Sequence, residues 1–345
     1  MFETLGLEIT PQAAALWFGA AIGLCFGALA QLTRFCLRRA LVGPMAERAD
    51  ARAVWAMALV VAVIGTQGAV ALGLFSFEGH RFGAQSVPVL GLVLGGLLFG
   101  LGTVLARGCL SRLTVLSATG NLRALVAIVV AALAAQATLQ GALAPLRMSL
   151  GAVVVPLGAL PGMAWLWAVV IAAAALLVVM RAGARWPSLL GGAAIGALVP
   201  LAWVGTGFVL FDEFDPIALE GLGFTGPWAE ALFWGVAAQV TSVGFGGGLV
   251  GGALAGALVA AIVTRRFRLE SFESAAQMGR SLGGAALMGV GGVLAGGCTV
   301  GAGLAGLPSL GVSAIIGFGS IVAGIYLADA VLARRGGARD LLPAE

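Results

Sequence analysis

The sequence predicts an all-α polytopic membrane protein, and three observations support this fold class. Of the 345 residues, 60% are hydrophobic and only 10% are charged, whereas a soluble domain carries about 25% charged residues. The mean hydropathy is +1.06. The apolar residues also form long runs, and most of the basic residues lie in the short stretches between them. This pattern excludes a soluble globular domain and is typical of helices that cross a lipid bilayer.

Ten apolar segments follow one another along the chain. They are residues 12–33, 53–75, 88–106, 124–143, 163–180, 188–211, 227–243, 247–264, 282–296 and 312–333. Residues 146–162 contain two prolines and predict a loop or a short surface helix. Several segments are interrupted by glycine, which indicates broken helices as well as complete spans.

The distribution of charge predicts how the chain crosses the bilayer. Basic stretches, which favour the cytoplasmic side, are residues 34–52, 181–187, 265–280 and the C-terminus. The N-terminus, residues 76–87 and the acidic residues 212–226 are then predicted to be periplasmic. An N-out, C-in chain needs an odd number of crossings, so we predict about nine, with at least one segment re-entrant. Because positive-inside anchoring accounts for the net charge of +4, we expect no nucleic-acid partner.

One stretch of sequence occurs twice. Residues 95–109 read GGLLFGLGTVLARGC and residues 284–298 read GAALMGVGGVLAGGC, at a constant offset of 189 (298 − 109). A second, weaker match has an offset of 208 (239 − 31), between GALAQLT at 27–33 and GVAAQVT at 235–241. Duplicated halves with broken helices are typical of transporters, whose substrate site lies where the repeats meet.

We therefore predict one membrane-embedded transporter domain, residues 1–345, made of two related halves. The first half is residues 12–145, the second is 227–333, and residues 146–226 connect them. Short broken helices from the two halves are expected to meet at a central constriction, where small residues let backbones approach closely.

Three cysteines lie where apolar segments break. These are Cys36, Cys109 and Cys298, and the duplication relates the last two. One interpretation is that each is a buried free cysteine acting as a small hydrophobic residue. The other is a shared site, in which thiols and the N-termini of half-helices bind a small anion that carries a soft sulfur atom.

Other residues near the breaks are candidates to support such an anion site. Thr299 and Thr241 could donate hydroxyl hydrogens, and Gly108 and Gly297 let the backbone approach a ligand closely. Arg34 and Arg107 either attract the anion or anchor the cytoplasmic face. A single histidine and four cysteines without close pairs argue against a metal site or a disulfide framework, and no cofactor motif is recognised.

The motifs TRFC (33–36), ARGC (106–109), SVGFGGGLVGGALAG (242–256) and MGVGGVLAGGCTVGAG (288–303) resemble those of the YeeE/YedE sulfur-transport family. The resemblance extends from about residue 14 to residue 332. It implies inverted halves and uptake of thiosulfate across a bacterial inner membrane through a line of cysteines, onto which Cys36, Cys109 and Cys298 map. Cys25 matches no motif, and Arg107 stands where glycine is expected. A small TusA-like sulfur-carrier protein on the cytoplasmic side is also implied.

The predicted function is therefore thiosulfate transport by transient hydrogen bonds to thiols, without enzymatic chemistry. One alternative is a membrane sulfurtransferase that forms a cysteine persulfide, for which an arginine beside a cysteine would lower the thiol pKa. Another is transport of a different sulfur or selenium species. A third is a passive channel for small solutes in which the cysteines are incidental.

Overall fold

The computed structural model describes residues 9–157, 160, 163–239, 242–272 and 274–334. Within them the secondary structure is helical. The α-helices are α1 (Pro11–Thr33), α2 (Leu37–Val42), α3 (Met45–Ala71), α4 (Val89–Leu105), α5 (Leu110–Ala118), α6 (Leu122–Leu139), α7 (Ala144–Ala152), α8 (Ala164–Ala182), α9 (Trp186–Val204), α10 (Thr225–Ala237), α11 (Phe245–Val263), α12 (Ala275–Leu294) and α13 (Val312–Arg334). Wider π-helical turns cover Gly205–Val209 and Thr299–Gly306, and a 3₁₀ turn covers Leu307–Ser309.

Nine helical segments of the described residues are long and apolar enough to cross a membrane. This confirms the predicted fold class and the number of crossings. Three of the nine contain a break between helical elements, and these are Pro11–Val42, Val89–Ala118 and Ala275–Ser309. Their breaks contain Cys36, Cys109 and Cys298, respectively.

Of the ten apolar segments, residues 227–243 do not form a candidate span within the described part of the chain, in keeping with about nine crossings from ten segments. Helix α10 covers only Thr225–Ala237, which is 13 residues, or about 20 Å of helix against a hydrocarbon core of about 30 Å. Helix α10 instead packs against α6 and α11.

Parallel helices α1 and α11 form the most extensive helix pair of the protein. Glycines spaced four residues apart line both helices along this contact: Gly19, Gly23 and Gly27 on α1, and Gly248, Gly252 and Gly256 on α11. A Cβ atom at any of the six would collide with a backbone carbonyl oxygen of the facing helix. Because helices in lipid gain little from hydrophobic burial, this close backbone approach supplies much of the packing energy.

Antiparallel helices α4 and α12 pack through the duplicated sequence. Gly102 lies against the backbone of Gly284, and Gly291 lies against the backbone of Gly95. An offset of 189 maps Gly95 onto Gly284 and Gly102 onto Gly291, so each contact is the repeat equivalent of the other. The contact is thus locally two-fold symmetric, while the division of the chain into two halves stays a prediction.

The α1–α11 contact makes a prediction about Gly252. A methyl group at Gly252 would collide with the Ala20 carbonyl, whereas Gly251, the next residue of the same helix, has nothing within 4 Å of an added Cβ. We expect Gly252→Ala to destabilise the protein by about 1–3 kcal/mol, the usual cost of overpacking. The midpoint of thermal unfolding in detergent measures the change.

Gly251→Ala is the matched control. Its midpoint should stay the same or rise, because alanine is favoured over glycine by up to about 1 kcal/mol in a helix interior. Equal midpoints for the two variants would show that backbone proximity of α1 and α11 does not limit stability.

Candidate functional site

Each of the three cysteines occupies the same position in its local structure. Cys36 precedes α2, Cys109 precedes α5 and Cys298 precedes the π-helical turn Thr299–Gly306. All three have extended backbone and are therefore N-cap residues of helices that restart after a break. The cysteines lie at the points where the chain resumes helical structure within the membrane-spanning segments.

A left-handed residue followed by a returning hydrogen bond produces each break. The left-handed residues are Arg34, Arg107 and Gly296, with φ of 53°, 60° and 72°. The residue after each donates its N–H to the carbonyl five positions earlier: Phe35 to Ala30 at 3.0 Å, Gly108 to Thr103 at 3.0 Å, and Gly297 to Gly292 at 2.8 Å. This is the 6→1 bond that closes a helix C-terminus and satisfies its free carbonyls. The cysteine is always the next residue.

A fourth break lacks a cysteine. Gly244 is the N-cap residue of α11, and the offset of 208 maps Cys36 onto it. A glycine therefore stands at the position that this sequence match pairs with Cys36. Thr241, which the sequence indicates as a supporting hydroxyl, lies outside the described residues.

The three thiols are buried and follow one another through the interior. Their exposures are 8% for Cys36, 1% for Cys109 and 0% for Cys298. The thiol of Cys109 interacts with that of Cys36, with the side chain of Thr299 and with the Ser111 hydroxyl, the last at 3.3 Å. The sulfur of Cys298 accepts a hydrogen bond from the Gly301 N–H at 3.3 Å. Thr299, the neighbour of Cys298, thus links Cys298 to the Cys36–Cys109 pair.

Stacked aromatic rings support two of the breaks. Phe35, which precedes Cys36, stacks on Trp55 with ring centroids 6.3 Å apart, and Trp55 stacks on Phe318 at 5.3 Å. Gly303, in the turn that follows Cys298, lies against both Trp55 and Phe318. These rings come from α3 and α13, so two long helices fix the relative positions of the Cys36 and Cys298 segments.

A charged cluster lies beyond Cys298, at one end of the row of thiols. Arg81 interacts with both Cys298 and Glu220, and its guanidinium lies 5.0 Å from the ring centre of Phe82. Glu220 also interacts with the Gly246 N–H at the start of α11 and with Glu230. Burial raises the pKa of Glu220 to about 7, and Glu230 adds to the increase.

His80 belongs to the same end and packs in an aromatic cluster with Phe77, Phe82 and Trp203. Its Nδ1 accepts a hydrogen bond from the Phe82 N–H at 3.2 Å. Burial lowers the pKa of His80 to about 4, and Arg81 acts in the same direction. His80 is therefore neutral near pH 7.

A cavity of about 680 Å³ lies at the opposite end of the row, and Cys36 is part of its wall. Three carboxylates line it: Glu47, Glu270 and Asp329. Ten of the 19 basic residues of the chain line it as well, and these are Arg34, Arg38, Arg39, Arg48, Arg107, Arg112, Arg123, Arg265, Arg266 and Arg268. This end of the row therefore opens into a strongly positive cavity, which we call the arginine cavity.

The structure thus brings most of the sequence-predicted residues to one region. Arg34 and Arg107 form the turns before the cysteines and line the arginine cavity. Thr299 is 1% exposed and interacts with Cys109. Gly108 and Gly297 donate the bonds that close the preceding helices. Cys25 is exposed on α1, away from the three buried cysteines.

Sequence reasoning missed Arg38 and Arg112, which interact with Cys36. It also missed Arg81 and Glu220 at the other end. One signal was available for Arg112: it follows Cys109 by three residues, and residues three apart share a helix face. Among the described residues, no group of three or more His, Cys, Asp or Glu side chains is placed to hold a metal ion.

Comparisons with known proteins agree with these motifs. Two curated relatives are named "Thiosulfate transporter TsuA". The protein from Escherichia coli K12 is 28% identical in an alignment 343 positions long, and the match covers 90% of this chain and 93% of that protein. The protein from Spirochaeta thermophila is 28% identical in an alignment 341 positions long, and the match covers 93% of this chain and all of that protein. A sequence profile described as sulphur transport matches residues 32–185 and again residues 180–327. Because these matches cover most of the chain, the protein belongs to the sulphur transport family.

Proposed function

We propose that this protein transports thiosulfate into the cytoplasm along the row formed by Cys298, Cys109 and Cys36. The observation that carries the proposal is the position of three buried thiols between a charged cluster at one end and the arginine cavity at the other. Membership of the sulphur transport family and the names of both relatives support thiosulfate as the substrate.

The chemistry of the row suits this anion. A thiol is a weak donor and a weak, polarizable acceptor, so it can interact with the terminal sulfur of thiosulfate without holding it tightly. The N–H groups that begin α5 and the Thr299–Gly306 turn carry partial positive charge and favour the anion as it passes. In this mechanism the anion moves from thiol to thiol through transient hydrogen bonds, and no covalent bond to sulfur forms.

The proposed orientation has the N-terminus in the periplasm, the C-terminus in the cytoplasm and the protein in a bacterial inner membrane. The arginine cavity then faces the cytoplasm, in agreement with the positive-inside rule, and Arg81 and Glu220 face the periplasm. A strongly positive cavity at the exit also suits an acidic soluble partner, and we propose a TusA-like sulfur carrier there.

We also propose that the fold consists of two inverted halves, residues 12–145 and 227–333, joined by residues 146–226. Support comes from the symmetric α4–α12 contact and from the family profile, which matches the chain twice. In this arrangement Cys36 and Cys109 correspond to Gly244 and Cys298.

One observation favours the sulfurtransferase as a second candidate. Arg38 and Arg112 interact with Cys36, and positive charge beside a cysteine favours the nucleophilic thiolate. A persulfide on Cys36 would then form as the terminal sulfur of thiosulfate transfers to the thiolate and sulfite leaves. Mass spectrometry of the active protein after exposure to thiosulfate distinguishes the candidates, since a stable adduct of about 32 Da, one sulfur atom, belongs to the enzyme.

The row of thiols predicts that Cys109→Ser lowers thiosulfate uptake. Cys109 interacts with Cys36, Thr299 and Ser111, so its replacement removes the polarizable sulfur from the middle of the row. We expect a loss of at least about tenfold, corresponding to about 1.4 kcal/mol, in uptake of labelled thiosulfate by proteoliposomes.

Cys25→Ser is the matched control for Cys109→Ser and should transport like the wild type, because Cys25 is exposed on α1. A protein with all four cysteines replaced by serine tests the passive channel. If that protein still conducts thiosulfate at the wild-type rate, the thiols are incidental and the relay is wrong.

The charged cluster predicts that uptake depends on external pH. Below pH about 7 Glu220 is protonated, which removes a negative charge beside Arg81 and makes the entrance more favourable to an anion. Because His80 has a pKa of about 4, it stays neutral and does not contribute between pH 6 and 8. We therefore expect uptake to rise severalfold as the external pH falls from about 8 to 6.

Glu220→Gln should remove this dependence and keep uptake high at both pH values, because glutamine imitates the protonated acid. Glu213→Gln, an exposed position of the same acidic loop, serves as the control and should retain the pH dependence. A pH profile in Glu220→Gln identical to that of the wild type would contradict a role for Glu220 at the entrance.

A further inference from the structure

Arg112 occupies a distinct position in the arginine cavity. It is the third residue of α5, and its side chain extends from the start of that helix, past Gly108, to the Cys36–Cys109 pair. Both thiols and Arg39 and Arg34 are within its electrostatic range. Arg112 therefore lies beside both thiols at the point where the row reaches the cavity.

Several other charged groups of the cavity wall already have partners. Glu47 pairs with Arg39 at 3.0 Å and with Arg34 at 3.8 Å. Arg48 donates to the Gly43 carbonyl at 2.7 and 3.0 Å. Glu270 accepts a hydrogen bond from the Asn121 amide at 2.6 Å. Two of the three carboxylates of the cavity are thus engaged away from Arg112, and the third, Asp329, interacts with Arg38.

The guanidinium groups of Arg112 and Arg38 retain unused donors. The Nη1 atom of Arg112 and the Nε atom of Arg38 are buried and have no hydrogen-bond partner among the described residues. A buried hydrogen-bond donor without an acceptor is costly, and a buried guanidinium group is normally hydrogen-bonded to an anion. Two guanidinium groups with such unused donors beside the same thiol, Cys36, therefore indicate a place where an anion completes the structure.

The chemistry of guanidinium indicates which anion this is. Its planar fork of N–H groups binds tetrahedral oxyanions such as phosphate with two parallel hydrogen bonds, and the sulfonate end of thiosulfate has the same arrangement of oxygens. The thiols on the other side can contact an exposed sulfur atom but are poor partners for oxygen. A cavity of about 680 Å³ holds such an ion together with its remaining water.

We propose that Arg112 and Arg38 form an oxyanion-binding site at the inner end of the row of thiols. The site holds the oxygen atoms of a sulfur oxyanion while Cys36 and Cys109 face its terminal sulfur. Sulfate, which has the oxygens but lacks the terminal sulfur, binds to the same two arginines. The identity of the natural ligand, thiosulfate, rests on the proposed function, whereas the binding site itself does not.

The test measures equilibrium binding to the purified full-length protein in detergent, by calorimetry at constant ionic strength. Thiosulfate and sulfate are the two probes. Arg112→Gln should weaken binding of both by at least about tenfold, as expected for loss of charge-assisted hydrogen bonds. Arg112→Lys should give an intermediate Kd, because it keeps the charge and loses the fork.

Arg181→Gln is the matched control. It removes the same charge from an exposed position at the end of α8, outside the arginine cavity, and should change each Kd by less than about twofold, as expected for a screened surface charge. Equal binding of both probes by Arg112→Gln and the wild type would overturn the proposal.

A second measurement covers the possibility that Arg112→Gln fails to fold. Cys36 lines the cavity, so sulfate bound at Arg112 should slow the reaction of Cys36 with a maleimide. The Cys25→Ser protein is used because its exposed thiol is removed, and mass spectrometry identifies the modified residue. Chloride at equal ionic strength should give no protection. Modification at the same rate with sulfate and with chloride would contradict the site.

The tetrahedral oxyanion could also be the phosphate of a lipid headgroup. Titration of phosphatidylglycerol into the binding assay distinguishes the two sources. We expect the Kd for thiosulfate to stay unchanged, and competition by the lipid would overturn a site for free oxyanion. If sulfate binding depends on Arg112 but the wild-type protein takes up no thiosulfate, the proposed transport is wrong and the proposed binding site is still supported.

Discussion

The structure depends on providing hydrogen-bond partners for the backbone N–H and carbonyl groups wherever a helix breaks inside the membrane. Hydrocarbon offers no water to an exposed N–H or carbonyl group, so a break is tolerated only where the chain itself supplies partners. At Arg34, Arg107 and Gly296 a left-handed residue turns the chain, and the following N–H returns to the carbonyl five residues earlier. The next residue is then free to begin a new helix. Cysteine occupies that position three times because its side chain is small, mostly apolar and able to accept a hydrogen bond, as Cys298 does from Gly301.

Close helix packing holds these breaks in position. Unbroken helices such as α6 and α13 pack against the broken segments, and the glycines of α1 and α11 bring the backbones of those two helices into contact. Since α1 ends at the Cys36 break and α11 begins at the Gly244 break, the same pair of helices connects one end of the proposed pathway with the other. In the α4–α12 pair, α4 leads directly to Cys109 and α12 leads directly to Cys298. The glycine contacts therefore fix the spacing of the thiols as well as the stability of the fold.

The helical segments and most of their breaks could be predicted from the sequence, but the backbone conformation at the breaks could not. The helical class, the number of crossings and the breaks at Cys109 and Cys298 followed from hydropathy and from the repeated motif. The left-handed backbone of Arg34 and Arg107 could not be predicted, because that conformation costs about 1–2 kcal/mol for most residues and no glycine marks it. The end of α10 at Ala237 could not be located from the sequence, because apolar residues continue past that point.

The role of Arg112 was hidden for a different reason. Sequence reasoning chose Arg34 and Arg107, which lie two residues before a cysteine, whereas the restart of a helix at Leu110 directs Arg112 toward the thiols. Which arginines of the cavity keep unused donors depends on where Glu47, Glu270 and Asp329 lie, and those carboxylates come from distant parts of the chain. Pairing across such distances is a property of the folded protein that spacing in the sequence does not contain.

The distribution of charge along the proposed pathway follows from what a divalent anion requires. Movement of such an ion against 100 mV, negative inside, costs about 4.6 kcal/mol, and a passage must bind the ion strongly enough to admit it but weakly enough to release it. An arginine in the dry middle of the row would bind the ion strongly and retain it. Here the positive charges lie at the two ends, at Arg81 and in the arginine cavity, and the cysteine side chains occupy the middle. In the proposed mechanism Arg81 attracts the anion at the entrance, the thiols bind it transiently as it passes, and the arginine cavity binds it at the exit.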